Sequence, residues 1–209
     1  TFDRANALAQ EAARATGRTY VHPYDDPYTI AGQGTIGVEL EEQMPQNTAA
    51  VLVPVGGGGL VAGIATWLRA HRPEVRIIGV EPAGAASMHA ALEAGQPMSL
   101  AKVDPFVDGT AVGRAGALPF YIASQFVDCV LVVPEGAVCT EMLELYQSDG
   151  VIAEPAGALA STAAHVYLTD PADRKALLGR SDGAIVCVVS GGNNDLTRYA
   201  EVMERSLRH

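Results

Sequence analysis

The chain has 209 residues, 48% of them hydrophobic and 18% charged, with a formal net charge of −10. That is enough apolar material for one large domain, or for one domain and part of another. The acidity and the absence of any Lys/Arg run argue against a nucleic-acid-binding surface, and three cysteines (Cys129, Cys139, Cys187) without CxxC spacing argue against a disulfide framework or a structural zinc site.

Residues 3–16 place Ala5, Leu8, Ala9, Ala12 and Ala15 at helical spacing, with Asp3 positioned to cap and Gly17 to terminate. Thr1-Phe2-Asp3 opens straight into this pattern with no initiator Met and no signal peptide, so the chain reads as an internal piece of a longer protein. Thr19-Tyr20-Val21-His22 predicts a short strand, and Pro23-Tyr24-Asp25-Asp26-Pro27 is turn chemistry and a candidate hinge. A helix is expected from near Ile30 to about Glu42, interrupted by Gly32, Gly34 and Gly37.

Residues 48–68 carry no charge, over about the 20 residues that a spanning helix needs. Pro54 and four glycines sit in the middle, so the stretch reads as strand, loop and helix, with no membrane span. Strands and helices then alternate. Strands are expected at 49–54, 75–80, 126–133 and 185–189; helices at 60–71, 85–93, 136–147, 155–168 and 195–207. Near-continuous Val, Ile and Leu in strands between helices predict an α/β fold: an open, mostly parallel sheet with helices on both faces. The three cysteines lie among apolar residues, as buried reduced thiols do, which suits a cytoplasmic location.

Four motifs carry chemistry. The first is Val53-Pro54-Val55-Gly56-Gly57-Gly58-Gly59-Leu60, a buried strand running through glycines into a helix. Without side chains, backbone N–H groups can close on a phosphate, and the positive end of the helix adds attraction. No Lys-Ser/Thr follows, so it is not a Walker loop, and it lacks the GxGxxG shape. Glu81 ends the next strand, which leaves nucleotide binding open as an alternative. The second motif, Ser190-Gly191-Gly192-Asn193, also lies at the carboxyl end of a strand, where open parallel sheets bind ligands. Read alone, it is more readily a helix start with Asn194 or Asp195 as cap. The third, Asp108-Gly109-Thr110, is a turn. The fourth, Glu154-Pro155-Ala156-Gly157, is a helix start built from small residues.

In order, PYDDP, AGQGT-IGVEL, VPVGGGGL-AGIA, IGVEP, DGTAV, EPAGA and SGGNND resemble the pyridoxal-phosphate enzymes of the tryptophan-synthase-β fold type (fold type II). The resemblance covers essentially the whole chain and is nearest to the threonine dehydratases, with the serine racemases next. It implies pyridoxal 5'-phosphate as cofactor. The phosphate would be held by Gly56, Gly57, Gly58, Gly59 and the Leu60 amide. Ser190 would face the pyridine nitrogen, Gly109 would approach the ring through its backbone, and Glu154 would lie near the ring. A neutral hydroxyl at the ring nitrogen suits elimination of a β-hydroxyl over transamination. The implied reaction converts L-threonine to 2-oxobutanoate and ammonia, as in isoleucine biosynthesis.

The resemblance also implies parts that these residues lack. The family's cofactor-bonding lysine sits in a Ser-Phe-Lys-type motif upstream of Thr1, and the only lysines here are Lys102 and Lys175, in other contexts. On this reading the chain has no catalytic residue of its own and is inactive alone. Residues 1–28 would be the remnant of a small domain and hinge, and 29–209 most of the large cofactor-binding domain, with the regulatory domain of the biosynthetic form absent. Racemase-like members bind a divalent cation through a Glu, a carbonyl and an Asp after the second strand. Glu81 and Ala85 match two of these positions and Ser87 replaces the Asp, so the candidate metal site is Glu81 with Ala85, and a monovalent cation is the alternative. An amino-acid substrate and a homo-oligomer, dimer or tetramer, are expected. Serine racemase, serine dehydratase and a non-catalytic cofactor-binding fragment are the competing readings.

Overall fold

The computed structural model describes residues 2–180 and 182–208, and its centre is a four-stranded parallel sheet. The strands are β1 (Thr48–Pro54), β2 (Arg76–Pro82), β3 (Cys129–Val133) and β4 (Ala184–Cys187), in the order β3-β2-β1-β4. The helices are α1 (Phe2–Thr16), α2 (Pro27–Gln43), α3 (Gly59–His71), α4 (Ser87–Ala94), α5 (Ala117–Phe126), α6 (Glu135–Asp149), α7 (Leu159–Leu168), α8 (Pro171–Leu178) and α9 (Tyr199–Ser206).

β1 is buried along its whole length, which explains its unbroken apolar run. Ala50 and Leu52 join one core with Met142 of α6 and Leu159 of α7; Val51 and Val53 join a second with Ile64 and Leu68 of α3. The alternation of a strand's side chains thus feeds two cores, one on each face. The expected fold class is the observed one.

The chain proceeds from β1 to β2 to β3 on one side and then returns to place β4 on the other side of β1. The strand order therefore reverses between β1 and β4, which makes their carboxyl ends a crevice of the kind that binds ligands. The glycine run follows β1 and Ser190 follows β4, so the topology brings the first two motifs together.

Several local expectations need correction. Thr19–His22 forms no strand. The groups around His22 are spent on the following bend: its Nδ1 accepts the Asp25 N–H at 2.9 Å, and its carbonyl accepts the Thr29 hydroxyl at 2.9 Å. Helix α2 starts at Pro27, three residues earlier than expected, because the Asp26 carboxylate accepts the Tyr28 and Thr29 N–H groups and Pro27 suits the first turn. Its glycines do not interrupt it. Phe126 ends α5 and β3 begins only at Cys129. Residues 155–158 are turns, so α7 begins at Leu159 and not at Pro155. β4 ends at Cys187, although Val188 N–H still donates to Leu52 O at 3.0 Å. A 3-10 turn, Ala83–Ala85, delays α4 to Ser87. Helices α5 and α8 carry no expectation from the sequence. Of the cysteines only Cys139 is fully buried; burial pushes its thiol up to about 11 and that of the half-buried Cys187 up to about 12. The proposed Asp3 cap lies outside the described side chains.

The two sheet edges differ. On β3, the Val132 carbonyl accepts the Tyr167 hydroxyl at 2.7 Å and the Val130 carbonyl lies 3.3 Å from His89 Nδ1. Those side chains occupy acceptors that another strand would use. On β4, every residue is only half-buried.

Candidate functional site

At the crevice the structure forms a cleft of about 370 Å³, within the range typical of small-molecule and cofactor sites. Gly56, Gly57, Gly58, Gly59, Leu60, Gly109, Glu154 and Ser190 all line it. Four stretches, separated by up to 134 residues of chain, thus meet around one space. The cleft is completed by Pro23, Tyr24, Gln33, Asp108, Thr110 and Ala156.

The glycine run serves as the floor because it has no room for side chains. Gly58 adopts φ +93°, the left-handed region that a side chain would strain, and caps α3. Among the described residues no side chain caps α3 and its first turn holds no acidic residue, so its leading amides are not taken by a cap. A Cβ on Gly57 would run into the ring of Tyr24. The Gly57 carbonyl accepts the N–H of Gly116, which does not line the cleft, at 3.0 Å.

Tyr24 shows why the PYDDP segment matters beyond its turn. It holds a ring against the loop and packs edge-on against His22, with centroids 4.6 Å apart. Its neighbour Asp25 accepts the Ala117 and Leu118 N–H groups at 3.0 and 2.9 Å, capping α5 across 92 residues of sequence. Neither role was visible in the sequence, since each depends on a partner brought in by the fold.

The opposite wall is an interlock of two motifs. Glu154 N–H donates to Gly191 O at 3.0 Å, and the Glu154 carboxylate lies where a Cβ on Gly191 would stand. A Cβ on Gly109 would stand 3.1 Å from Glu154 Oε1. The Glu154 carboxylate makes no side-chain hydrogen bond among the described residues. Ser190 is exposed to the cleft. Asn194, one of the two alternative caps, instead donates its side-chain amide to Ala153 O at 2.6 Å; Asp195 does cap, accepting the Thr197 N–H at 2.9 Å.

Glu81 and Ala85 are buried and do not line the cleft. Glu81 reaches the start of α4, where its two oxygens accept the Met88 and His89 N–H groups at 2.8 and 2.7 Å. Ser87 Oγ is buried nearby without a hydrogen-bond partner among the described residues. No group of three or more His, Cys, Asp or Glu among the described residues is arranged to hold a metal ion. Burial pushes the Glu81 carboxyl up to about 7, and the amide hydrogen bonds from α4 pull the other way. An acid raised from 4.5 to about 7 in the folded state keeps its proton where the unfolded chain has lost it. Stability from this group is therefore fullest below pH 4.5 and declines as pH rises to about 7. Thermal midpoints across that range should decline in the wild type relative to Glu81→Gln; a constant difference between the two would count against the assignment.

The set of residues fits a phosphorylated, flat cofactor: a side-chain-free floor at a helix start, a hydroxyl on the opposite side, and walls of backbone and small residues. A model of the family described as pyridoxal-phosphate dependent enzymes matches residues 1–191. The chain belongs to that family. It is 51% identical over 211 aligned residues to the biosynthetic L-threonine dehydratase of Mycobacterium leprae, covering 100% of the chain and 47% of that relative. Against the Bacillus subtilis counterpart the identity is 45%, covering 99% and 47%. The chain thus spans about half the length of the curated relatives it matches. Among solved structures, it superposes on processed threonine deaminase isoform 2 from Solanum lycopersicum with a TM-score of 0.88 and 37% identity, covering 99% of this chain and 58% of that one. On maize serine racemase the TM-score is 0.83 and the identity 33%, covering 97% and 60%. Fold type II and its cofactor, expected from the motifs, are thereby shown for the family.

Proposed function

We propose that the protein carrying this chain deaminates L-threonine to 2-oxobutanoate and ammonia, using pyridoxal 5'-phosphate, in isoleucine biosynthesis. The observation that carries the reading is the single cleft uniting the glycine floor, Gly109, Glu154 and Ser190, in a chain about half identical to biosynthetic threonine dehydratases. When bound, the cofactor supplies an electron sink that permits loss of the α-proton and the β-hydroxyl. The amides of Gly56 to Leu60 bind its phosphate, with the start of α3 adding positive potential. Ser190 offers its hydroxyl to the ring nitrogen and, being uncharged, does not hold a proton there as a carboxylate would. Gly109 and Glu154 bound the ring from the other wall.

Lys102 and Lys175 do not line the cleft. The cofactor-bonding lysine is therefore assigned to a part of the protein outside residues 1–209. Residues 1–28 join a smaller domain completed by that part, and the half-buried edge of β4 is covered by it or by a second subunit. Among the described residues no helix is long and apolar enough to cross a membrane, and a cytoplasmic homo-oligomer is the proposed state. The test is 2-oxobutanoate release. Intact protein should turn over threonine faster than serine, while residues 1–209 alone, given cofactor, should release none. Serine racemisation outpacing threonine loss would replace the reading with the racemase one. Activity from the clean fragment would overturn the assignment of the lysine.

A further inference from the structure

The proposed function leaves Arg198 and Arg205 without a role, although both reach back from the C-terminal segment to one turn. Arg198 Nη1 pairs with Asp108 Oδ2 at 3.2 Å, and its Nη2 donates to Phe106 O at 2.7 Å. Asp108 Oδ1 in turn accepts the Gly109 N–H at 3.0 Å. Asp108 and Gly109 both line the cleft. Seven residues further on, Arg205 pairs with Asp104 at 3.6 Å and Glu201 at 2.9 Å. The two guanidinium groups lie 5.0 and 4.1 Å from the centroid of the Phe106 ring, which is buried in the core. The turn is closed by Thr110 N–H donating to Val107 O at 3.0 Å.

We propose that Arg198 is a positioning residue for the cofactor cleft. It fixes the Asp108-Gly109 wall through an unbroken chain of hydrogen bonds, Arg198 to Asp108 to Gly109. Arg205 anchors the same turn at its far end, through Asp104 and the Phe106 ring, and touches no residue that lines the cleft. The division of labour follows from geometry: one arginine sets the wall, the other holds the turn onto α9. A partly exposed ion pair contributes little to global stability, so the effect belongs to the cleft and not to the fold. The neighbours of Gly109 on the same wall sharpen the requirement, because a Cβ there would stand 2.8 Å from Ala156 and 3.1 Å from Glu154.

The inference rests on the cleft being the cofactor site, and the experiment separates the two. In the intact protein, Arg198→Ala should weaken pyridoxal-phosphate binding about tenfold. Arg198→Lys should recover part of that loss by restoring the charge without the fork. Arg205→Ala should leave cofactor affinity unchanged, with at most a small fall in the thermal midpoint. Arg198→Ala and Asp108→Asn should be non-additive, since they break one chain of bonds. Hydrogen exchange at the Gly109 amide is read in parallel without cofactor, and should accelerate in Arg198→Ala but not in Arg205→Ala. Unchanged exchange, or fully additive effects, overturns the proposal. Faster exchange in a protein whose wild type binds no cofactor supports the positioning role and sinks the cofactor reading instead.

Discussion

Gly63→Ala is expected to cost about 2–3 kcal/mol of stability, lowering the thermal midpoint by roughly 5–10 °C in a chain of this size. Helix α3 crosses α2 at Gly63, where a Cβ would stand 2.5 Å from Ile30 O and 2.6 Å from Gly34 N. Both are backbone atoms, so no rotamer change relieves the overlap and the helices must part. They are also joined away from the crossing, by Trp67 Nε1 donating to Glu41 Oε2 at 2.7 Å, which resists a simple shift. The comparison is Gly32→Ala on the exposed face of α2. A Cβ there meets nothing within 4 Å, and alanine in a helix interior should add about 0.5–1 kcal/mol. Opposite signs from the same chemical change, read by thermal melts of the two variants, are the expected result. A Gly63→Ala protein that melts with the wild type would show that the crossing is not close-packed.

This pair also shows where sequence reading stops. Glycines 32, 34 and 37 look alike along the chain, and a run of them predicts a broken helix. Their meanings separate only when α3 is in place: Gly32 faces solvent, Gly34 faces Gly63, and Gly37 faces Trp67 and Ile64. Strands β1 and β2 were legible because burial on both faces leaves a continuous apolar run, a purely local signal. Helix α5 was not, because the carboxylate that caps it belongs to Asp25, 92 residues before its first residue. The residues from Pro155 to Ala158 were misassigned to a helix for a related reason. Glu154 N–H is committed to Gly191 O, so the chain turns before it can begin α7.

The candidate site was legible to a different degree. All eight residues expected around the cofactor line the one cleft, because two of the motifs follow strands that meet at the sheet's switch point and the other two, in connections between helices, are brought to the same place. The contributions of Tyr24, Thr110 and Arg198 were not legible. Nothing in PYDDP says that a tyrosine ring will lie on a glycine 33 residues on, and an arginine in a closing helix reads as a solvated charge. Supporting groups of this kind declare themselves only through contacts.

The larger functional effect is expected from Gly57→Ala, which should weaken pyridoxal-phosphate binding by about a hundredfold or more. Gly57 is buried between the ring of Tyr24 and the amides that open α3. An added methyl overlaps the body of the ring, close to its attachment and not at a mobile tip. Either Tyr24 swings out, opening the cleft, or the loop shifts and the amides lose their convergence. The second route is costly for a phosphate, whose recognition depends on several N–H groups aimed at one point. Tyr24 is held through its neighbour Asp25, which caps α5, so the loop is expected to yield first. The double variant Gly57→Ala/Tyr24→Ala separates the routes. Recovery of cofactor affinity in the double variant shows that the ring had displaced the loop and its amides, while continued loss assigns the effect to the opened cleft. Either result requires the single variant to melt within a few degrees of the wild type while losing the cofactor's absorbance. Wild-type affinity in Gly57→Ala would remove the glycine run from the binding site.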